Sequence, residues 1–344
     1  MKQLILDWNR KTESSRLWEF GVNTCHATLW LRRDLHAQLK HEHDTLGFQY
    51  VRFHGVLNDD MDVMRADGTF HFERVIKVYE TILKAGMKPF VELSSMPSAL
   101  QSADSKICFY GFRNSPPRSW KTWKELIAAF TRALLKHFGE EEIKTWYFEV
   151  WNEPDIPFWS GSMEEYFKLY STTAKHLKKQ FPEIKVGGYA SCGFYAVTRD
   201  GMNDFYRSFI TWFDEFLIYA KKERAPLDFY SWHLYTSDLD ELITHAEYVT
   251  KKLRKAGFDR TENIFNEWNY IDKTAKGYAK FDSMKEIPAA LFIAGAFCRM
   301  QDSPIDKAMY YDAEPSRTYC GLFYFPSQRV TPAYYAFKTF NELY

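Results

Sequence analysis

Two glutamates in this sequence carry the strongest chemical signal. Glu153 sits in Trp151-Asn152-Glu153-Pro154-Asp155, directly after the apolar run Thr145–Val150, and Glu267 sits in Phe265-Asn266-Glu267-Trp268-Asn269, after the run Asn263–Asn266. One carboxyl group held protonated can assist a leaving oxygen, while a second, ionised, attacks or activates water. A pair of that kind facing across a pocket is what glycosidic bond hydrolysis requires. Pro154 cannot extend a hydrogen-bond ladder and biases Glu153 toward extended backbone. A strand ending at Glu153 is therefore expected, with its carboxylate projecting from the rim. A lone glutamate at a strand end is ordinarily a surface residue. The weight comes from two matching Asn-Glu strand ends.

Other polar side chains cluster at comparable points. Arg52-Phe53-His54-Gly55 and Trp232-His233-Leu234-Tyr235 each follow an apolar run. Period two places Arg52 with His54 on one face, and His233 with Tyr235. Arg52 would keep a nearby carboxylate ionised, or pair with Glu149 in the interior, while His and Tyr would bond sugar hydroxyls. Competing constellations are weaker. His41 and His43 diverge on a helix, and Cys25-His26-Ala27-Thr28 lacks the H-x-H of metal-dependent barrels. Gly188–Gly193 has the wrong spacing for G-x-S-x-G. No metal and no cofactor are expected.

The elements that must position these residues alternate regularly. Short β-branched and aromatic runs occur at Phe20–Cys25, Phe48–Phe53, Lys88–Leu93, Thr145–Val150, Lys185–Tyr189, Asp228–His233, Asn263–Asn266 and Lys307–Tyr311. Between them apolar residues recur at three and four, as in Phe72-Val75-Ile76-Tyr79-Ile82-Leu83. Gly47, Gly86, Gly139 and Gly257 are placed to end helices, and Thr331-Pro332 to start the last one. Eight strand-then-helix units predict an α/β chain folded as a (β/α)8 TIM barrel. An open doubly wound sheet would more often show a Gly-rich first turn, which is absent. The long connections, near 54–70, 94–118, 151–163 and 190–201, all follow strands and so gather at the C-terminal face. Residues 1–17 are expected to pack on the barrel as an extension, with 18–344 forming the barrel.

Composition narrows the partners. The 344 residues hold 45 Lys plus Arg against 45 Asp plus Glu, which leaves no surplus positive field for nucleic acid. Hydrophobic residues at 46% exclude general disorder, and aromatics at 18% leave a surplus beyond the core for an apolar or sugar-stacking pocket. Five cysteines without C-x-x-C spacing read as reduced, mostly buried thiols. With neither a signal-peptide run nor a membrane span, the expected location is the cytoplasm.

At Trp151-Asn152-Glu153-Pro154 and Asn266-Glu267-Trp268-Asn269 the sequence resembles retaining glycosidases of the large (β/α)8 superfamily. More narrowly it resembles glycoside hydrolase family 39, which contains β-xylosidases and α-L-iduronidases. Tyr50-Val51-Arg52-Phe53-His54-Gly55 with Asp59-Asp60, Trp146 to Asp155, and His233-Leu234-Tyr235 carry that likeness across nearly the whole barrel. The resemblance implies Glu153 as general acid/base and Glu267 as nucleophile. Asn152 would bond the sugar 2-hydroxyl, His54, His233 and Tyr235 would line the same subsite, and Arg52 would support the nucleophile. It also implies an acidic pair after strand eight for distal hydroxyls, for which Tyr311-Asp312-Ala313-Glu314-Pro315 offers Glu314. Little or no accessory β-sandwich is expected. The implied activity is an exo-acting retaining glycosidase on a small carbohydrate, a β-xylosidase first, with homo-oligomerisation left open. Arabinosidase, galactosidase and α-L-iduronidase-like activities are the alternatives, the last drawing on Arg113, Arg118 or Lys121 for a carboxylate. A silent sugar-binding barrel is one rival, and a metal hydrolase using His26, His54 and His233 is another.

Overall fold

The computed structural model of the chain describes residues 14–103, 106 and 109–343. Eight parallel strands close into one barrel in chain order. They are β1 (Gly21–His26), β2 (Tyr50–His54), β3 (Lys88–Leu93), β4 (Tyr147–Val150), β5 (Lys185–Ser191), β6 (Phe229–Thr236), β7 (Glu262–Tyr270) and β8 (Lys307–Tyr310). The outer ring consists of α1 (Arg33–Leu46), α2 (Glu73–Lys84), α3 (Trp120–Phe138), α4 (Met163–Gln180), α5 (Asp204–Glu223), α6 (Leu239–Lys255), α7 (Ile287–Met300) and α8 (Pro332–Leu343). The expected (β/α)8 architecture is observed.

Helix limits follow local chemistry. Ser162 and Glu165 form a reciprocal capping box on α4, while Ser119, Asn203 and Asp238 accept from the first turns of α3, α5 and α6. The four glycines expected to end helices all have positive φ, from 79° to 91°, which a β-carbon resists. Thr331 accepts from Tyr334 N at the start of α8.

Inward side chains form layers. A lower plug consists of Phe20, Phe90, Tyr147, Phe229, Ile264 and Met309, with Tyr50 against it. Above it the barrel turns polar, with Asn23, Arg52, Glu92, Glu149, Ser231 and Asn266 all buried. Outward residues such as Val51, Val91, Phe148 and Val186 are fully buried beneath the helices, as parallel strands covered on both faces require.

Strand limits differ from expectation at β4, β6 and β7. β4 stops at Val150, three residues before Glu153, because Trp151 and Glu153 take positive φ (75° and 43°) that no ladder accommodates. β7 runs on through Glu267 to Tyr270, since β6 and β7 stay paired from Phe229↔Glu262 to Thr236↔Tyr270 across a register shift. Of the extension, residues 1–13 lie outside the described residues. Ser14 and Ser15 bond Gln301, and Leu17 is buried in the core. Cys25 and Cys320 are buried, Cys192 is partly buried and Cys298 is exposed, all with free thiols, so burial of the cysteines is less general than expected. Cys108 lies outside the described residues.

Candidate active site

A cavity of about 680 Å³ opens at the C-terminal face of the barrel, with Glu153 and Glu267 both in its lining. Glu153 arrives there on strained backbone, its N–H donating to Ala190 O at 3.0 Å, which ties the turn after β4 to β5. Glu267 arrives on β7 itself. His233 stands between the two carboxyl groups, with Nδ1 2.8 Å from Glu153 Oε1 and 3.5 Å from Glu267 Oε2. One oxygen of each glutamate and a His233 nitrogen lie within 4.8 Å of one another.

The two carboxyl groups have different surroundings. Burial pushes Glu153 up to about 7, where an acid remains protonated near neutrality. Glu267 instead accepts from Tyr235 Oη at 2.6 Å and faces Arg52 Nη1 at 3.3 Å. Burial also drives His233 down to about 3, so its imidazole is neutral. A neutral ring either donates Nδ1–H to ionised Glu153 or accepts the proton of the acid, and so serves both states of an alternating acid/base.

Arg52 organises the floor without lining the cavity. It is fully buried, with Nε 2.7 Å from Glu149, Nη2 2.7 Å from Glu92 and Nη1 3.0 Å from Asn23 Oδ1. Burial opposes its charge, but Glu149, Glu92 and Glu267 raise the guanidinium above its ordinary value. Both readings of Arg52 therefore hold in one side chain, as the Glu149 pair and the Glu267 contact. Its Nη2 also donates to Asn152 Oδ1 at 2.7 Å, which leaves the Asn152 amide nitrogen as the donor for the cavity. Glu149 is completed by Ser231 Oγ at 2.5 Å and Asn266 Nδ2 at 2.7 Å. His54 lines the cavity with Nδ1 2.8 Å from Glu92, whose charge raises the imidazole despite burial.

Glu153, Glu267, Asn152, His54 and Tyr235 thus line one cavity, with His233 and Arg52 directly behind them. Glu314 does not join them. It lies with Cys25 and Asp312, donor atoms within 4.8 Å of one another. Arg113 is also diverted, to Asp59 and Gln101, and neither Arg118 nor Lys121 lines the cavity; its cations are Arg199, Lys273 and Lys280. The rim histidines do not converge: His26 pairs with Asp60, His54 with Glu92 and His233 with Glu153. Tyr110, Tyr195, Tyr311 and Tyr319 line the cavity without any sequence signal to single them out among 22 tyrosines. Only Tyr311, immediately after the last strand, occupied a position that could have revealed it.

Comparison with known proteins places these observations in a wider context. Residues 4–312 match the sequence profile of glycosyl hydrolases family 39. A β-xylosidase of Caldicellulosiruptor saccharolyticus is 40% identical over 374 aligned positions, covering all of this chain and 72% of that protein. A β-xylosidase of Geobacillus stearothermophilus is 34% identical over 257 positions, covering 72% of this chain and 48% of that protein. Among solved structures, a monomeric β-xylosidase from Caulobacter crescentus CB15 superposes with a TM-score of 0.84 at 26% identity, over 98% of this chain and 70% of that one.

Proposed function

This chain belongs to glycosyl hydrolases family 39, a family of retaining glycosidases, and from that premise we propose that it is an exo-acting β-xylosidase using Glu153 and Glu267. The observation that carries the reading is the pair of unlike carboxyl groups sharing His233 above one cavity. One oxygen of each lies within 4.8 Å of the other, which is compatible with the roughly 5–5.5 Å carboxyl spacing of double displacement. Protonated Glu153 gives its proton to the leaving oxygen while Glu267 attacks the anomeric carbon, breaking the C–O bond and forming a glycosyl ester. Ionised Glu153 then takes a proton from water, which attacks the same carbon and releases Glu267. Arg52 and Tyr235 hold Glu267 in place between the two steps.

Xylose is favoured as the glycone by two relatives of 40% and 34% identity, both β-xylosidases. We further propose a cytoplasmic location on the strength of the free thiols; among the described residues no helix is long and apolar enough to cross a membrane. The test is a panel of 4-nitrophenyl glycosides (xyloside, arabinosides, galactoside, glucoside, iduronide) with NMR detection of the first-formed anomer. Fastest turnover of the β-xyloside with β-xylose released is expected; α-product would remove the double displacement. Glu153→Ala should lower kcat/KM on xylobiose by at least about a hundredfold while sparing the activated 4-nitrophenyl substrate. Equal losses on both would deny Glu153 the acid role.

A further inference from the structure

The cavity has two chemically distinct halves. Around Glu267 the lining sets His54, Asn152, Tyr235 and Thr318, which offer hydrogen bonds to a sugar ring, beside Tyr311 and Tyr319. A leaving group must lie on the other side, over Glu153, because that residue protonates it. There the lining comes from the connections after β4 and β5 and the start of α5: Ile156, Pro157, Tyr195, Phe205, Tyr206 and Phe209. The rings form an edge-to-face set, Tyr195 to Tyr206 at 5.9 Å and Phe205 to Tyr206 at 5.3 Å between centroids. Phe205 is left 46% exposed at the rim, open to a ligand.

Two cations of the lining, Arg199 and Lys273, are both engaged by Glu241. The Arg199 guanidinium is committed, with Nε and Nη2 on Glu241 and its plane 4.4 Å from the Tyr195 ring. Tyr195 Oη already accepts from Tyr235 N. A second sugar presents several hydroxyls, each of which must recover the hydrogen bond it made to water. This wall offers chiefly the Tyr195 and Tyr206 hydroxyls for them, set among aromatic faces and edges.

We propose that the half of the cavity over Glu153 is a leaving-group subsite for a glycoside whose aglycone is an apolar, ring-bearing alcohol rather than a further sugar. This rests on the glycosidase reading above and names the substrate class of the same site. Glycone chemistry proceeds as already described, while the aglycone ring stacks against Tyr206 and Phe205 and leaves as the free alcohol.

The test compares 2-phenylethyl, ethyl and xylobiose substrates, whose leaving alcohols are all unactivated, so binding and not leaving-group acidity separates them. Wild-type kcat/KM on 2-phenylethyl β-D-xyloside should exceed that on the ethyl xyloside by at least about thirtyfold, and should exceed that on xylobiose. Phe205→Ala and Tyr206→Ala should each cut the 2-phenylethyl/ethyl ratio by about tenfold. A folding defect would lower both substrates together and leave the ratio intact. A wild-type ratio near one, a preference for xylobiose, or ratios unmoved in both variants would overturn the subsite. No turnover of any xyloside, with turnover of another sugar in the panel, would instead overturn the glycone reading; the same pair built on that sugar then tests the subsite.

Discussion

Burial of Glu153, the proposed acid/base residue, works against the fold once the group is ionised. Glu153 titrates near 4.5 in an unfolded chain and at about 7 here, because burial disfavours its charge. Its protonated form therefore favours folding below the lower value, and that contribution is lost as pH rises through the upper one. Two consequences follow from the one shift. In activity, kcat/KM on an unactivated glycoside falls as pH rises through about 7, since step one needs the proton. In stability, Glu153→Gln should gain on wild type across that window, by up to about 3 kcal/mol at pH 8 and by little at pH 4.5. Asp155, also pushed up to about 7 by burial, is present in both proteins and cancels from the difference. Chemical denaturation at several pH values measures it, and a difference flat with pH would contradict the assigned environment. Both glutamates, Asn152, His54 and Tyr235 were legible in the sequence, because strand ends and proline leave few places for a polar side chain to go. The place of Glu314 beside Cys25 and Asp312 was not legible, because no periodic signal governs the chain after β8 and nothing in its spacing tells which way the carboxylate turns.

Among elements, the loops over the barrel are joined by one buried carboxylate. Glu241, in the first turn of α6 and 4% exposed, accepts from Thr198 and Arg199 after β5, from Thr236 at the end of β6 and from Lys273 after β7. Burial works to raise its carboxyl, but these bonds, Arg199 foremost, outweigh it and hold the group down at about 2. A depressed carboxyl stabilises the fold above its unfolded value and loses that contribution as pH falls toward 2. Glu241→Gln should therefore cost about 2–3 kcal/mol at pH 7, the range for hydrogen bonds to charged groups, and less as pH is lowered. Because Arg199 and Lys273 line the cavity, KM should rise more than kcat falls. Thermal melts at pH 7 and pH 4 with parallel kinetics check both, and a loss confined to kcat would place Glu241 elsewhere in the reaction. The sequence pattern located all eight strands and their alternation with helices but misjudged the ends of β4, β6 and β7. Period two reports which faces are buried; where β7 stops depends on how long β6 remains beside it, a tertiary fact.

At the scale of the molecule the barrel divides stability from chemistry along its axis. The plug of Phe20, Phe90, Tyr147, Phe229, Ile264 and Met309 fills the N-terminal end, and none of the six lines the cavity. Phe229 is central to it, within 5.4 Å of the Phe90 ring and 5.5 Å of Tyr147. Its room comes from a neighbouring strand without a side chain: a β-carbon on Gly187 would lie 2.1 Å from Phe229 O and 2.6 Å from its ring. Phe229→Ala removes a fully buried ring that rigid strands cannot collapse upon, so a loss of about 3–5 kcal/mol is expected. Above the plug, the polar layer around Arg52 is held by its own bonds to Glu149, Glu92 and Asn23. KM and kcat of Phe229→Ala, measured well below its lowered Tm, should therefore stay within about twofold of wild type. A large kinetic change at a temperature where the variant is folded would mean that the lower plug, and not the Arg52 layer, sets the height and spacing of the two glutamates.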